Sequence, residues 1–176
     1  ERHGVFKKKQ KLNDLFQYYL DMILGLKKRF PDVHIQAFTA VELEYLAQIA
    51  GKPLNETLIQ LRDAGLGSIP GGGAEIFAKR VRKKICSEKT NAEDWLDVHE
   101  TVHSVGLKSN ATMLYGHVEN PEERTDHLIR LRELQDKTNG FLTFIPLVLT
   151  YFIGPLGIFI YWLIRIFFSK KIDLYD

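Results

Sequence analysis

His99-Glu100-Thr101-Val102-His103 has the residue types and spacing to hold a zinc ion. Two imidazoles stand one helical turn apart, and the carboxylate between them could act as a general base. Gly106 falls where one class of zinc peptidase turns its chain toward a third histidine, but the residue three positions further on is Ser109. On a helix, Trp95, Val98, Val102 and Val105 make an apolar stripe with His99 and His103 on its flank, while Glu100 points nearly away. The motif therefore reads as boundary packing. A membrane-anchored zinc hydrolase, with His117 or Glu119 as third ligand, is the alternative.

A second constellation is SIPGGGAEIF, residues 68–77. Three successive glycines after a strand and Pro70 permit positive φ and close backbone approach, leaving N–H groups to meet an anion or the polar end of a ligand. A ligand loop and a plain tight turn both fit. It is no nucleotide P-loop, because no Gly-Lys-Ser/Thr follows and the G-x-G-x-x-G spacing is missing. The third constellation, SNATMLYGHVEN (109–120), is a strand running into Gly116, His117 and Glu119. If the extension persists, Tyr115, His117 and Glu119 share one face and lie at the same rim as the glycines. A histidine at a strand end is more often a structural hydrogen-bonder than a catalyst.

The elements that must position these groups alternate. Strands are expected at 33–38 (VHIQAF), 66–70 (LGSIP), 107–114 (LKSNATML) and 141–146 (FLTFIP). Helices are expected at 40–50, 56–65, 91–106 and 121–140, with Gly65 and Gly140 as stops and Pro121 in a first turn. Strand and helix in alternation impose parallel pairing, so the fold class is α/β, a partial parallel (β/α) barrel of about four βα units with exposed edges.

Composition narrows the classes. The 24 basic and 22 acidic residues nearly cancel, so no global field recruits nucleic acid, and the runs at 7–11, 27–29 and 79–84 read as solvated helix faces or loops. Cys86 is the only cysteine, which excludes an intrachain disulfide and any iron–sulfur cluster held by three or more thiolates of this chain. From Phe141 to Phe168 the only charge is Arg165, enough apolar length to cross the ~30 Å hydrocarbon layer. A long apolar helix is therefore expected to follow the barrel, with a cytoplasmic domain anchored to the membrane through residues 148–168. The GPLGIFIYWLIR stretch resembles, less specifically, the closing helix of small polytopic membrane proteins.

FPDVHIQAFTAVE, AGLGSIPGGGAEIFAKRVRKKIC, SNATMLYGHVENPEER and LRELQDKTNGF together resemble the radical S-adenosylmethionine enzymes of the futalosine route to menaquinone. IFA, KKIC and SNATML favour the aminofutalosine synthase family over the related cyclases. The resemblance covers about residues 14–147; residues 1–13 are unmatched and 148–176 form the hydrophobic tail.

The resemblance implies a barrel in which a 4Fe–4S cluster cleaves S-adenosylmethionine to a 5′-deoxyadenosyl radical, which adds to a carboxyvinyloxybenzoate, a small-molecule substrate. It places Gly71, Gly72, Gly73 and Glu75 at the S-adenosylmethionine or substrate rim. Leu114, Gly116 and Glu119 match the family's G-x-I-x-G-x-x-E strand beside the adenine, with Thr112 replacing the first glycine. Gln36, Thr39, Glu42, Asn110 and His117 are candidates for substrate contact, and His99 and His103 become helix residues on the barrel exterior. The family's C-x-x-x-C-x-x-C loop is not in this sequence, so the chain alone is expected to carry no cluster and to be inactive.

Overall fold

The computed structural model describes residues 2–88 and 90–146, and for residues 2–13, 145 and 146 the backbone alone. Three strands, β1 (Ser68–Ile69), β2 (Lys108–Met113) and β3 (Phe141–Pro146), form a parallel sheet in the order β1-β2-β3. Among the described residues six helices accompany it: α1 (Arg2–Arg29), α2 (Ala40–Ala50), α3 (Leu54–Ala64), α4 (Lys79–Ile85), α5 (Ala92–Ser104) and α6 (Pro121–Thr138).

Local chemistry explains most boundaries. Glu42 accepts from the Thr39 N–H at 2.7 Å and from its hydroxyl at 2.8 Å, starting α2, and Gly51 ends that helix at φ +62°. Asn120 caps α6 through the Glu123 N–H at 2.8 Å, Pro121 opens its first turn, and Asn139 closes it in the left-handed region. In α1, Phe16, Leu20 and Ile23 recur at helical spacing on a buried face, and Lys27, Lys28 and Arg29 oppose the negative C-terminal end of the helix dipole.

The fold corrects the expected partial barrel of four βα units. Residues 33–38 make one bridge, Gln36 to Ser68, and no strand. The Ser68 N–H donates to the Ile35 carbonyl there and the Ala37 N–H to the Ser68 carbonyl, each at 3.2 Å, but Phe38 turns to φ +66° and sends the chain into α2. A single bridge cannot extend, because Pro70 ends β1 after two residues. The resulting sheet has three strands, with Leu142 and Phe144 of its edge strand β3 exposed. The long helix at 2–29 was not foreseen from the residue pattern.

The apolar tail at 148–168 lies outside the described residues. Among the described ones no helix is long and apolar enough to cross a membrane, so the expected anchor finds no support.

The main core joins Leu43, Leu46, Leu58, Leu61, Ile69, Phe77, Trp95 and Val102, from α2, α3, β1, the loop after it and α5. A smaller cluster, Ile76, Val81 and Met113, lies where the glycine loop and α4 cover the end of β2. The register pairs Ser68 with Lys108 and Ile69 with Ser109. Alternation then puts Gln36, Ser68, Asn110 and Thr112 on one sheet face and Ile69, Ser109 and Ala111 on the face that carries α5.

Candidate functional site

The first two sequence constellations after the zinc motif meet at the C-terminal end of β1 and β2. The Leu114 N–H donates to the Glu75 carbonyl at 2.9 Å, fastening the end of TMLYGHVE to the glycine loop. Gly71 runs against β2 so closely that a Cβ there would lie 2.4 Å from the Asn110 carbonyl oxygen. Only glycine fits that approach. A Cβ on Gly72 would meet the Thr39 methyl at 3.1 Å, which brings the start of α2 to the same rim. Gly73 takes φ +90°, and Glu75 holds φ +46°, an unusual conformation for a residue with a side chain.

The carbonyls of this loop are spoken for in sequence. Thr112 Oγ donates to Gly71, the Trp95 indole donates to Gly72 at 3.1 Å, and buried Arg82 serves Gly73 at 3.2 Å, Ala74 at 2.6 Å and Ile76 at 3.3 Å. Arg82 also donates to the Thr90 carbonyl. Its acceptors are carbonyls, and among the described residues no carboxylate pairs with it.

Arg80, two residues earlier, performs the matching task for the other rim. Its guanidinium grips both oxygens of Glu123, at 2.9 and 2.6 Å, and donates to the Val118 carbonyl at 2.8 Å. The pairing raises the Arg80 pKa and, led by that same side-chain bond, lowers that of Glu123. In the basic run at 79–84, read as a solvated face, Lys79, Arg80, Lys83 and Lys84 are indeed exposed; buried Arg82 is the exception, and Arg80 and Arg82 each brace a loop. Arg82 was legible in principle, because Ala78, Val81, Arg82 and Ile85 occupy one helical face in which Arg82 is the sole charge.

The strand does not persist beyond Met113, so Tyr115, His117 and Glu119 do not share a strand face. Gly116 turns at φ +97°, and the Glu119 carboxylate folds back to accept the N–H groups of Gly116 at 2.7 Å and His117 at 2.9 Å. Burial raises its pKa, but these backbone donors, its own N–H and Arg124 outweigh it, and the net shift is downward. Glu119 shapes the rim turn as a carboxylate. His117 is exposed, and Leu114 is half-buried.

Among the remaining candidates, Gln36 donates to Ser68 Oγ at 3.0 Å and half-buried Asn110 lies on the same sheet face. Glu42 is engaged in capping α2 through Thr39.

The zinc motif has another fate. His99 is completely buried and His103 half-buried, both on α5 against β2. The Thr138 hydroxyl donates to the Leu134 carbonyl at 2.8 Å, so it must accept from His103 Nδ1 at 2.7 Å. His103 Nε2 then accepts from Ser109 Oγ at 2.8 Å, and Ser109 Oγ accepts from His99 Nδ1 at 2.8 Å. His99 Nε2 is the bare end of this relay, buried and without a partner. Trp95 stacks on His99 with centroids 3.6 Å apart, and Glu100 turns outward to Lys137 at 2.6 Å. Among the described residues no three His, Cys, Asp or Glu side chains gather to hold a metal, with His117 and Glu119 far from service as a third ligand.

A parallel α/β sheet with its ligand-type loops beyond the strand ends defines the class, a site built from backbone at the carboxyl edge of the strands. No family model matches the chain. It is 55% identical over 132 residues to an aminodeoxyfutalosine synthase of Thermus thermophilus, a match covering 75% of this chain and 36% of the relative. It is 48% identical to an aminodeoxyfutalosine synthase of Streptomyces coelicolor over 132 residues, 75% of this chain and 34% of the relative. A 5-amino-6-(D-ribitylamino)uracil–L-tyrosine 4-hydroxyphenyl transferase of Methanopyrus kandleri is 38% identical over 141 residues, 80% of this chain and 38% of the relative. The chain resembles aminodeoxyfutalosine synthase over three-quarters of its length and spans about a third of the length of the curated relatives it matches.

Proposed function

We propose that this chain forms part of the ligand rim of a radical S-adenosylmethionine enzyme of the aminofutalosine synthase type. The bond from the Leu114 N–H to the Glu75 carbonyl carries the reading, because it joins the two stretches that the resemblance assigns to the cofactor. Gly71, Gly72, Gly73 and Glu75 line one side, and Leu114, Gly116 and Glu119 the other. Gln36, Thr39, Asn110 and His117 lie toward the substrate. Glu42 acts through the Thr39 cap. When bound, S-adenosylmethionine and a 4Fe–4S cluster supply the radical in such enzymes, and the substrate is a carboxyvinyloxybenzoate.

The residues present do not fit the cluster. Cys86 is the only thiol in the sequence, whereas a 4Fe–4S centre takes four thiolate-type ligands or three and an open iron. Supply of the cluster therefore falls to residues outside these 176, and this polypeptide alone is inactive. The test has two arms. Anaerobic reconstitution of the chain with iron and sulfide is expected to give neither cluster absorbance nor product. Titration with S-adenosylmethionine is expected to shift the amide resonances of 71–75 and 114–119; a saturable response confined to other residues overturns the rim assignment.

A further inference from the structure

Glu75 is a side-chain-bearing residue held in the left-handed region, and the contacts that hold it there come from both flanks. Arg82 Nη1 donates to Ala74, the residue before it, and to Ile76, the residue after it, while the Leu114 N–H takes the carbonyl of Glu75 itself. The left-handed conformation is unfavourable for an ordinary L residue. Strain of this kind persists only where surrounding bonds overdetermine it, and it collects at ligand sites. Glycine at position 75 would remove the cost, yet the loop has glycine at 71, 72 and 73 and glutamate here.

We propose that Arg82 is a positioning residue: its guanidinium pinches the loop on either side of Glu75 and thereby aims the Glu75 carboxylate at a hydrogen-bond donor of the ligand. The planar fork of arginine reaches several carbonyls at fixed angles, whereas the single ammonium of lysine cannot span the carbonyls of Gly73, Ala74, Ile76 and Thr90 together. The inference rests on the rim assignment proposed above, and it adds the device that orients that rim.

The experiment uses the full chain, labelled for NMR, with S-adenosylmethionine as the probe. Glu75→Gly is expected to unfold at the same temperature as wild type or a higher one while binding the probe at least tenfold more weakly. A purely structural role for Glu75 predicts that stability and binding move together. Arg82→Lys is expected to shift the amides of 73–76, move the Glu75 backbone coupling constant out of the left-handed range and weaken binding at least tenfold. Exposed Lys83→Ala is the control and changes none of these. If Arg82→Lys does not fold, Arg82→Ala with added guanidinium ion replaces it, and rescue of the loop resonances supports the proposal. Undiminished binding by Glu75→Gly, or an unmoved loop in the arginine variants, overturns it. Should wild type itself bind no probe, the rim assignment fails, and the Glu75 coupling constant in the arginine variants still decides whether Arg82 sets the loop.

Discussion

The glycine loop and the inner face of α5 both border β2, and both concentrate polar groups, yet their chemistry diverges. In the loop, donors from Thr112, Trp95 and Arg82 satisfy the carbonyls, and Gly72 and Gly73 are left half-exposed at the strand ends while Gly71 is buried. On α5, the two imidazoles satisfy each other's neighbours through Ser109 and Thr138 and close the face to solvent. The motif with the stronger sequence signature for catalysis is thus packing, and the glycine run without a named signature lies at the strand ends where the rim is proposed. Spacing along a helix says which residues share a face; whether that face meets a cleft or a sheet depends on what packs against it.

Substituting glycines separates the two regions most sharply. Gly71→Ala drives a Cβ to 2.4 Å from the Asn110 carbonyl oxygen and 2.9 Å from the Thr112 methyl, against backbone that cannot withdraw without breaking β1 from β2. The expected loss is about 3 kcal/mol or more. Gly106, after α5, has φ +85° and open space around its would-be Cβ, so Gly106→Ala costs only about 1 kcal/mol in backbone strain. Urea unfolding of the two variants provides the comparison, and equal losses would deny the rim its close approach.

Acid probes the buried imidazoles next. Burial, foremost, lowers the pKa of His103 to about 4, and burial likewise lowers that of His99 well below the ordinary 6.5. Burial also takes His127 to about 4, with its Nε2 on the Thr112 carbonyl and its Nδ1 unpartnered. Each folded-state pKa is depressed, so the unfolded chain binds more protons between pH 6.5 and 4. Stability is full above pH 6.5 and falls as the pH drops through that window. For completely buried His127 the loss approaches about 3 kcal/mol at the acid end. Denaturant midpoints measured across that window should flatten in His127→Gln, and an unchanged slope would place the proton uptake elsewhere.

Much of the fold was legible because its signals are local. The expected spans at 40–50 and 141–146 coincide with α2 and β3, and those at 91–106 and 121–140 run within two residues of α5 and α6. Caps, glycine stops and β-branched runs announce such elements within a few residues of themselves. The strand at 33–38 failed for a different reason: it depends on a neighbour distant in sequence, as does the burial of His99 and His103 between α5 and β2. Val33, His34 and Gln36 remain exposed where a central strand would bury them, and Phe38 takes a conformation that periodicity does not foresee. Glycines 71–73 and Glu75 were named from their residue types and from resemblance, and their assignment to a ligand rim is the proposal that titration tests. The arginines that set the loops were hidden in a run of like charges, and only the apolar company of Arg82 distinguishes it.

The smallest expected effect is also the cleanest discriminator for α5. Glu100, placed by the spacing as a general base, lies 2.6 Å from Lys137 with 41% of its side chain exposed, and the lysine is 63% exposed. An ion pair in that position gains little over hydration and is screened by salt, so Glu100→Gln should cost about 0.5 kcal/mol and less still in 1 M salt. A double-mutant cycle with Lys137→Met isolates the pair from any helix effect of the substitution. Were Glu100 instead the base of a metal site held by the histidines, its loss would leave stability and bound zinc alone and abolish hydrolysis of peptide substrates. A coupling energy near the surface-pair value, together with no stoichiometric zinc on the purified wild-type chain, therefore assigns the residue to the outer face of the helix and the histidines to the wall behind the sheet.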